Sequence, residues 1–288
     1  MTGAPLRLAV AAMGTRFELA LAAGRGDLLA AGEAALEEIE RLHGRFSRFA
    51  PDSLLSHINR TAWRSPVRLD RETFELFTDA LDVRVRSEGA FDITVAPAMA
   101  GAGFADSAVR AGDGRLDAGG VRLDAAAWTI ACAGPHVALD LGGIAKGHAL
   151  DCAARTLRAA GVTSALLHGG TSTSVAIGAP DGAAGWGIAI GDAPGAPVVM
   201  LRDAALSVSD AGSQRTATDD GHIMDPRTGA AVRRSGRASV TGPSARLADA
   251  WSTALAVLGR LPDGFPQGFS ARLLPGPEST PHSSAGAA

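Results

Sequence analysis

The sequence predicts an α+β fold, a mixture of sheet and helix without regular βαβ alternation. Three observations carry this. Segments with apolar residues at helical spacing recur at wide intervals along the chain. Short strand-like runs separated by glycine turns crowd between them, most densely from Ser164 to Ser209. The composition, 46% hydrophobic and 20% charged over 288 residues, is that of a packed globular protein with ample length for a core.

Arg16 to Leu21 alternates polar and apolar residues, which is the period of a strand. Asp27 to Phe46 follows as a helix, with Leu29, Leu36, Ile39, Leu42 or His43, and Phe46 on one side. Arg71 to Ser87 is a second helix, its core stripe read as Phe74, Phe77, Leu81 and Val85. Gly89 to Pro97 is a strand-like run broken by proline. Ala100 to Gly120, rich in Gly, Ala and Asp, reads as a long loop. Trp128 to Ile130 and His136 to Leu141 read as short strands, and Lys146 to Ala159 as a helix. Strands are then expected at Ser164 to Leu167, Ser174 to Ile177, Gly187 to Ile190, Pro197 to Leu201, Ala205 to Ser209 and Arg237 to Thr241. The last helix runs from Ala245 to Leu258. No internal repeat is visible. Pro275 to Ala288, rich in Pro, Ser and Ala, is expected to be a disordered tail behind one domain over residues 1–274.

The net charge is −3 and no basic block appears, so nucleic acid is not an expected partner. The two cysteines, Cys132 and Cys152, lack metal-type spacing and read as small core residues. The apolar run from Leu8 to Met13 is too short for a signal peptide, and no stretch is long enough for a membrane span. HExxH and GxSxG are both absent, which removes the usual footholds for zinc and serine hydrolases.

Four stretches could carry chemistry. In LDLGGIAKGHALD, the pair Gly142 and Gly143 lets backbone approach a ligand, and a helix starts directly after it. The amides of a helix start favour an anion, and Lys146 adds a full positive charge. The stretch is therefore either a phosphate site or a plain strand-to-helix turn with a solvated lysine. In SARLADAWSTALAVLG, Leu247, Trp251, Leu255 and Leu258 form one stripe. Asp249 and Thr253 fall nearly opposite, one turn apart, among small residues rather than the Lys, Glu and Arg of a solvated face. That second face is expected to be covered. A carboxylate and a hydroxyl at this spacing can reach one hard cation, for which Mg2+ is the natural candidate, or the aspartate caps a loop. In HIMDPRTG, His222 could relay a proton with Asp225 orienting it, or the stretch is only a turn. LLHGGTSTSVAIG offers a glycine pair and hydroxyls, as a phosphate or ribityl site or as a simple β-turn.

MGTRFEL, FSRFAPDSLLSHIN, GAFDITVAP, LDLGGIAKGHALD, the glycine pair at Gly169, HIMDPRTG and ADAWSTAL occur here in an order that resembles the ApbE-type FAD:protein FMN transferases. The resemblance runs from about Met13 to Gly259. It implies a FAD cleft in an α+β fold and Mg2+-dependent cleavage of FAD. FMN would then pass to a Thr or Ser of an acceptor flavoprotein, with release of AMP. By the same resemblance Asp249, Thr253 and the Gly143 carbonyl are metal ligands. Met13, Gly14, Thr15, Ser56, Asn59, Asp92, Lys146, Asp151, Gly169, Gly170 and Thr171 line the FAD site, and His222 and Asp225 are the catalytic pair.

The chain departs from the family pattern in places. His148 stands where an aromatic is usual, His168 and Thr171 flank the glycine pair, and a Trp-Gly after GAFDIT is missing. These departures keep two alternatives in view, a Mg2+-dependent FAD pyrophosphatase giving FMN and AMP, and a flavin carrier without turnover. With no leader or lipid-bearing cysteine near the start, the expected compartment is the cytoplasm, with the periplasm as the alternative.

Overall fold

The structure, a computed structural model, describes residues 5–24, 26–101, 120–191, 195–211, 223–232 and 236–275. In chain order the elements are β1 (Leu6–Ala12), β2 (Thr15–Gly24), α1 (Leu28–Phe46), α2 (Leu54–Thr61), β3 (Val67–Arg68), α3 (Arg71–Arg86), α4 (Ala96–Gly101), β4 (Val121–Asp124), β5 (Thr129–Cys132), α5 (Ala145–Ala159), β6 (Val162–Gly169), β7 (Thr173–Ile177), β8 (Trp186–Ala189), β9 (Val198–Leu201), β10 (Ala205–Asp210), β11 (Met224–Asp225), β12 (Ala230–Ala231), β13 (Gly236–Gly242), α6 (Ala245–Leu258) and β14 (Ser270–Pro275).

A seven-stranded antiparallel sheet organises the molecule, in the order β1-β2-β6-β7-β10-β13-β14. Three helices cover one face, with α1 on β1 and β2, α5 on β6 and β7, and α6 on β10 and β13. The β8–β9 hairpin covers part of the other face, where Ile190 and Leu201 cluster with Leu166, Ala176 and Leu206. The alternation of β6 divides its side chains between the two layers. Ala165 and Leu167 face the helices and Leu166 the hairpin. That is why β6 and β7 are buried nearly throughout rather than alternating. The expected α+β class is what the structure has.

Helix ends follow local chemistry. Asp27 caps α1 by accepting from the amides of Leu29 and Ala30, and Asp70 caps α3 through Thr73. α6 begins at the Ser244 cap and stops at Gly259 in the left-handed conformation. Its small-residue second face is covered, as expected, since Asp249 and Ser252 are buried as Trp251 and Leu255 are.

Four expectations need correction. Gly89 to Pro97 is not a strand. The Asp92 carboxylate accepts from the amide and hydroxyl of Thr94, which bends the chain, and α4 starts at Ala96. His136 to Leu141 is not a strand: both backbone groups of Leu139 bond to the side chain of Asn59. The α3 core stripe is Thr73, Leu76, Phe77, Ala80 and Val83, and Val85 is 72% exposed. Two residues past Val83 it points about 200° away. Leu29 is exposed for the same reason, two residues before buried Ala31. The loop expected over Ala100 to Gly120 and the tail lie largely outside the described residues. Among the described residues, no helix is long and apolar enough to cross a membrane.

Candidate active site

The β1–β2 hairpin closes through two residues, since Ala12 pairs with Thr15. In its type I′ form such a turn needs positive φ at both central positions, and Met13 and Gly14 have φ of 50° and 72°. Glycine takes this conformation freely. Methionine does not, and strain of this kind concentrates where a site needs a side chain in one place. The Met13 amide donates to His43 Nδ1 at 3.1 Å. Met13 and Gly14 thereby form the lip of a cleft of about 630 Å3, counted to its open mouth. His43, Phe46, Arg48 and Phe49 from the end of α1 and its following turn form one wall. Asp140, Gly142 and Lys146 form the other.

Both walls are held from behind. Ser53 and Ser56 donate their hydroxyls to the carbonyl of Ser47, and Ser56 also approaches the carbonyl of Arg48 at 3.3 Å. The Asn59 side chain donates to the Leu139 carbonyl at 3.0 Å and accepts from its amide at 2.8 Å. Asp140 then ties the walls together. It pairs with Arg48 at 2.7 Å, both side chains being largely buried, and it accepts from the Gly142 amide at 2.6 Å.

Beyond the cleft wall α5 begins at Ala145 without a side-chain cap. The anion in front of Lys146 is a protein carboxylate. Asp249 Oδ2 lies 3.6 Å from Lys146 Nζ and accepts the Gly147 amide at 3.1 Å. Asp249 Oδ1 accepts from Thr173 at 3.3 Å and from Ser207 at 3.2 Å. A web of hydroxyls surrounds it. Ser209 bonds to Ser252 at 2.8 Å and to Thr253 at 3.3 Å, and Thr253 donates to the Asp249 carbonyl at 3.1 Å. The local sequence explains the grouping. Ser207 and Ser209 are two apart on β10 and share a face, Thr173 lies opposite Ser207 on β7, and Asp249, Ser252 and Thr253 are within one turn of α6. Gly143 completes the group, since a Cβ there would lie 3.4 Å from Thr253 Oγ1. Asp249, Thr253 and Gly143, predicted together, are neighbours. Their donors are all oxygens, which fits a hard cation such as Mg2+ and not a soft one.

Other predicted residues are near but engaged differently. Gly170, with φ of 65°, donates its amide to the Arg16 carbonyl and packs against Thr15, so Thr15, Gly169 and Gly170 form one patch beside the hairpin. Thr171 is exposed at its rim. Ser56 and Asn59 stand behind the walls rather than on them. Asp92 is buried, and its oxygens are taken by Arg84 and Thr94. Asp151 accepts from Ser244 Oγ and from the amides of Ala245 and Arg246, at the start of α6. Asp225 sits in the β11–β12 turn in a two-point pair with Arg227, which holds its carboxyl below the ordinary range. His222 lies outside the described residues. Arg48, Asp140, Ser207 and Thr173 were not singled out from the sequence. Arg48, Asp140 and Thr173 do lie inside stretches quoted above, whereas Ser207 carries no local signal. Of the alternatives Leu42 or His43 on the core side of the helix, Leu42 is the buried one and His43 is at the cleft.

Comparisons with known proteins agree with this geometry. The sequence model of the ApbE family matches residues 13–263. The chain is 33% identical over 239 residues to the FAD:protein FMN transferase of Rhodobacter capsulatus, a match covering 76% of this chain and 45% of that protein. It therefore spans less than half the length of that relative. It is also 33% identical over 260 residues to the FAD:protein FMN transferase of Treponema pallidum, covering 78% and 72%. Among solved structures, an ApbE protein from Thermotoga maritima superposes with a TM-score of 0.78 at 26% identity, covering 88% of this chain and 87% of that one. The flavin transferase ApbE from Vibrio cholerae gives 0.79 at 22% identity, covering 94% and 97%, which is a likeness of fold.

Proposed function

The chain belongs to the ApbE family, and from that premise we propose that it is a Mg2+-dependent FAD:protein FMN transferase. The names of its relatives support this reading. The observation that carries it is the buried carboxylate Asp249, set among hydroxyls and facing Lys146 directly behind the cleft. In this reading Asp249, Thr253 and the Gly143 carbonyl hold Mg2+, and Met13, Gly14, Thr15, Lys146 and the Gly169–Thr171 turn hold FAD. When bound, Mg2+ neutralises charge on the pyrophosphate. Lys146 adds a second positive charge and orients the phosphates. The acceptor Thr or Ser oxygen bonds to the flavin-side phosphorus, and the phosphoanhydride P–O bond breaks. AMP leaves with the electron pair. We assign the hydroxyl proton to His222, with Asp225 orienting it, because both stand in the HIMDPRTG motif. The pair with Arg227 holds the Asp225 carboxyl below its ordinary range.

The test is AMP release from FAD in the presence of an acceptor. Asp249→Ala should lower it by more than about 100-fold, beyond what loss of an outer-shell partner costs. Its circular dichroism should be unchanged. An active Asp249→Ala enzyme would remove the metal assignment.

A further inference from the structure

Outside the cleft, among the described residues, one largely buried group of side chains has no part in this reading. Glu72, in the first turn of α3, meets His148 and Cys152, one turn apart on α5. Cys152 Sγ is 3.6 Å from Glu72 Oε2 and 3.7 Å from His148 Nε2, and His148 Nε2 is 3.8 Å from Glu72 Oε1. His148 and Cys152 are 2% and 1% exposed. Among the described residues, the polar side chains that meet the His148 ring are those of Glu72 and Cys152.

We propose that Glu72, His148 and Cys152 form a second metal site, selective for a borderline-soft divalent cation such as Zn2+. One ligand atom from each of the three side chains lies within 4.8 Å of the other two, close enough for all three to reach one cation. Mixed sulfur, nitrogen and oxygen donors favour zinc over Mg2+, so the two sites sort metals by chemistry. Three protein ligands leave a fourth position for water. Arg41 and Arg155 now pair with Glu72, at 2.9 and 2.8 Å. Their side chains are 45% and 65% exposed, so an arriving cation can send both into water without stranding a buried charge. Burial pushes the free Cys152 thiol up to about 12, which argues against a role as a nucleophile. A bound cation reverses that preference. The site would tie α3 to α5. Phe46 links it to the cleft, since its ring meets His148 edge-on at 5.9 Å and lines the cleft wall.

Co2+ is the probe. Metal-free full-length protein is titrated with Co2+ and followed by absorption. One equivalent should give a thiolate-to-cobalt charge-transfer band, and added Zn2+ should abolish it. The band should vanish in Cys152→Ser, weaken in Glu72→Gln, and persist in Cys132→Ser and Asp249→Ala. Glu72 is partly exposed, so Glu72→Gln keeps the test open if the buried cysteine variant fails to fold. No band, a band that survives Cys152→Ser, one unchanged in Glu72→Gln, or one lost in Cys132→Ser would each overturn the proposal.

Discussion

A carboxylate at 2% exposure needs partners for both oxygens, and Asp249 has them in the Gly147 amide, two hydroxyls and the Lys146 ammonium. The ammonium is the partner that a metal would supplement. Replacing it should therefore cost stability in a way that Mg2+ restores. Lys146→Met is expected to lose about 1–3 kcal/mol in EDTA. Its Tm should rise on adding Mg2+ by more than that of the unaltered chain, as differential scanning calorimetry would show. His168 offers a pH test. It bonds to Ser174 at 2.9 Å, and burial lowers its pKa. A folded pKa below the unfolded one means that the unfolded chain binds more protons as pH falls below about 6.5. Stability should thus drop from about pH 7 to pH 5. His168→Gln should flatten that slope in urea unfolding, and an equal slope in both chains would contradict the assignment. At this scale Asp249 and Thr253 were legible because small residues around a lone carboxylate are a poor solvated face. Asn59 was legible only through its motif. Its amide holds the backbone of Leu139, 80 positions away, which no local pattern announces.

Among the elements, the crossing of α5 and α6 sets the geometry of the metal group. A Cβ on Gly147 would lie 2.2 Å from the Ala245 carbonyl oxygen, so only glycine lets the two helices approach this closely. Asp151 fixes the same crossing from the other side, as an anion at the N-terminus of α6. Asp151→Ala should cost about 0.5–2 kcal/mol, the range for loss of a cap, measurable by thermal unfolding. The helices were legible because long amphipathic periods and capping residues agree. α6 matches its expected span, and α1, α3 and α5 differ by one residue at one end. Short elements were not. α2 has only eight residues, although Ser53 is a recognisable cap. β1 alternates only weakly in apolar character, and among the described residues β14 pairs with a strand some thirty positions before it.

Across the whole molecule the site is assembled from a hairpin at Met13, a helix end at Arg48, a loop at Asp140, strands β7 and β10, and α6 at Asp249. The antiparallel sheet and its helix layer bring these distant stretches together. No single stretch held enough chemistry to name a reaction, since each could be a turn, a cap or a core residue. Their order along the chain carried the information, and the fold shows why that order matters. The reading also separates two outcomes for the same chemistry, because water or a protein hydroxyl can take the FMN group. The decisive measurement is intact mass spectrometry of an acceptor flavoprotein incubated with this protein, FAD and Mg2+. The account predicts a mass gain equal to one phosphoester-linked FMN, lost when EDTA is present. FAD consumed to AMP and free FMN, with the acceptor's mass unchanged, would contradict it.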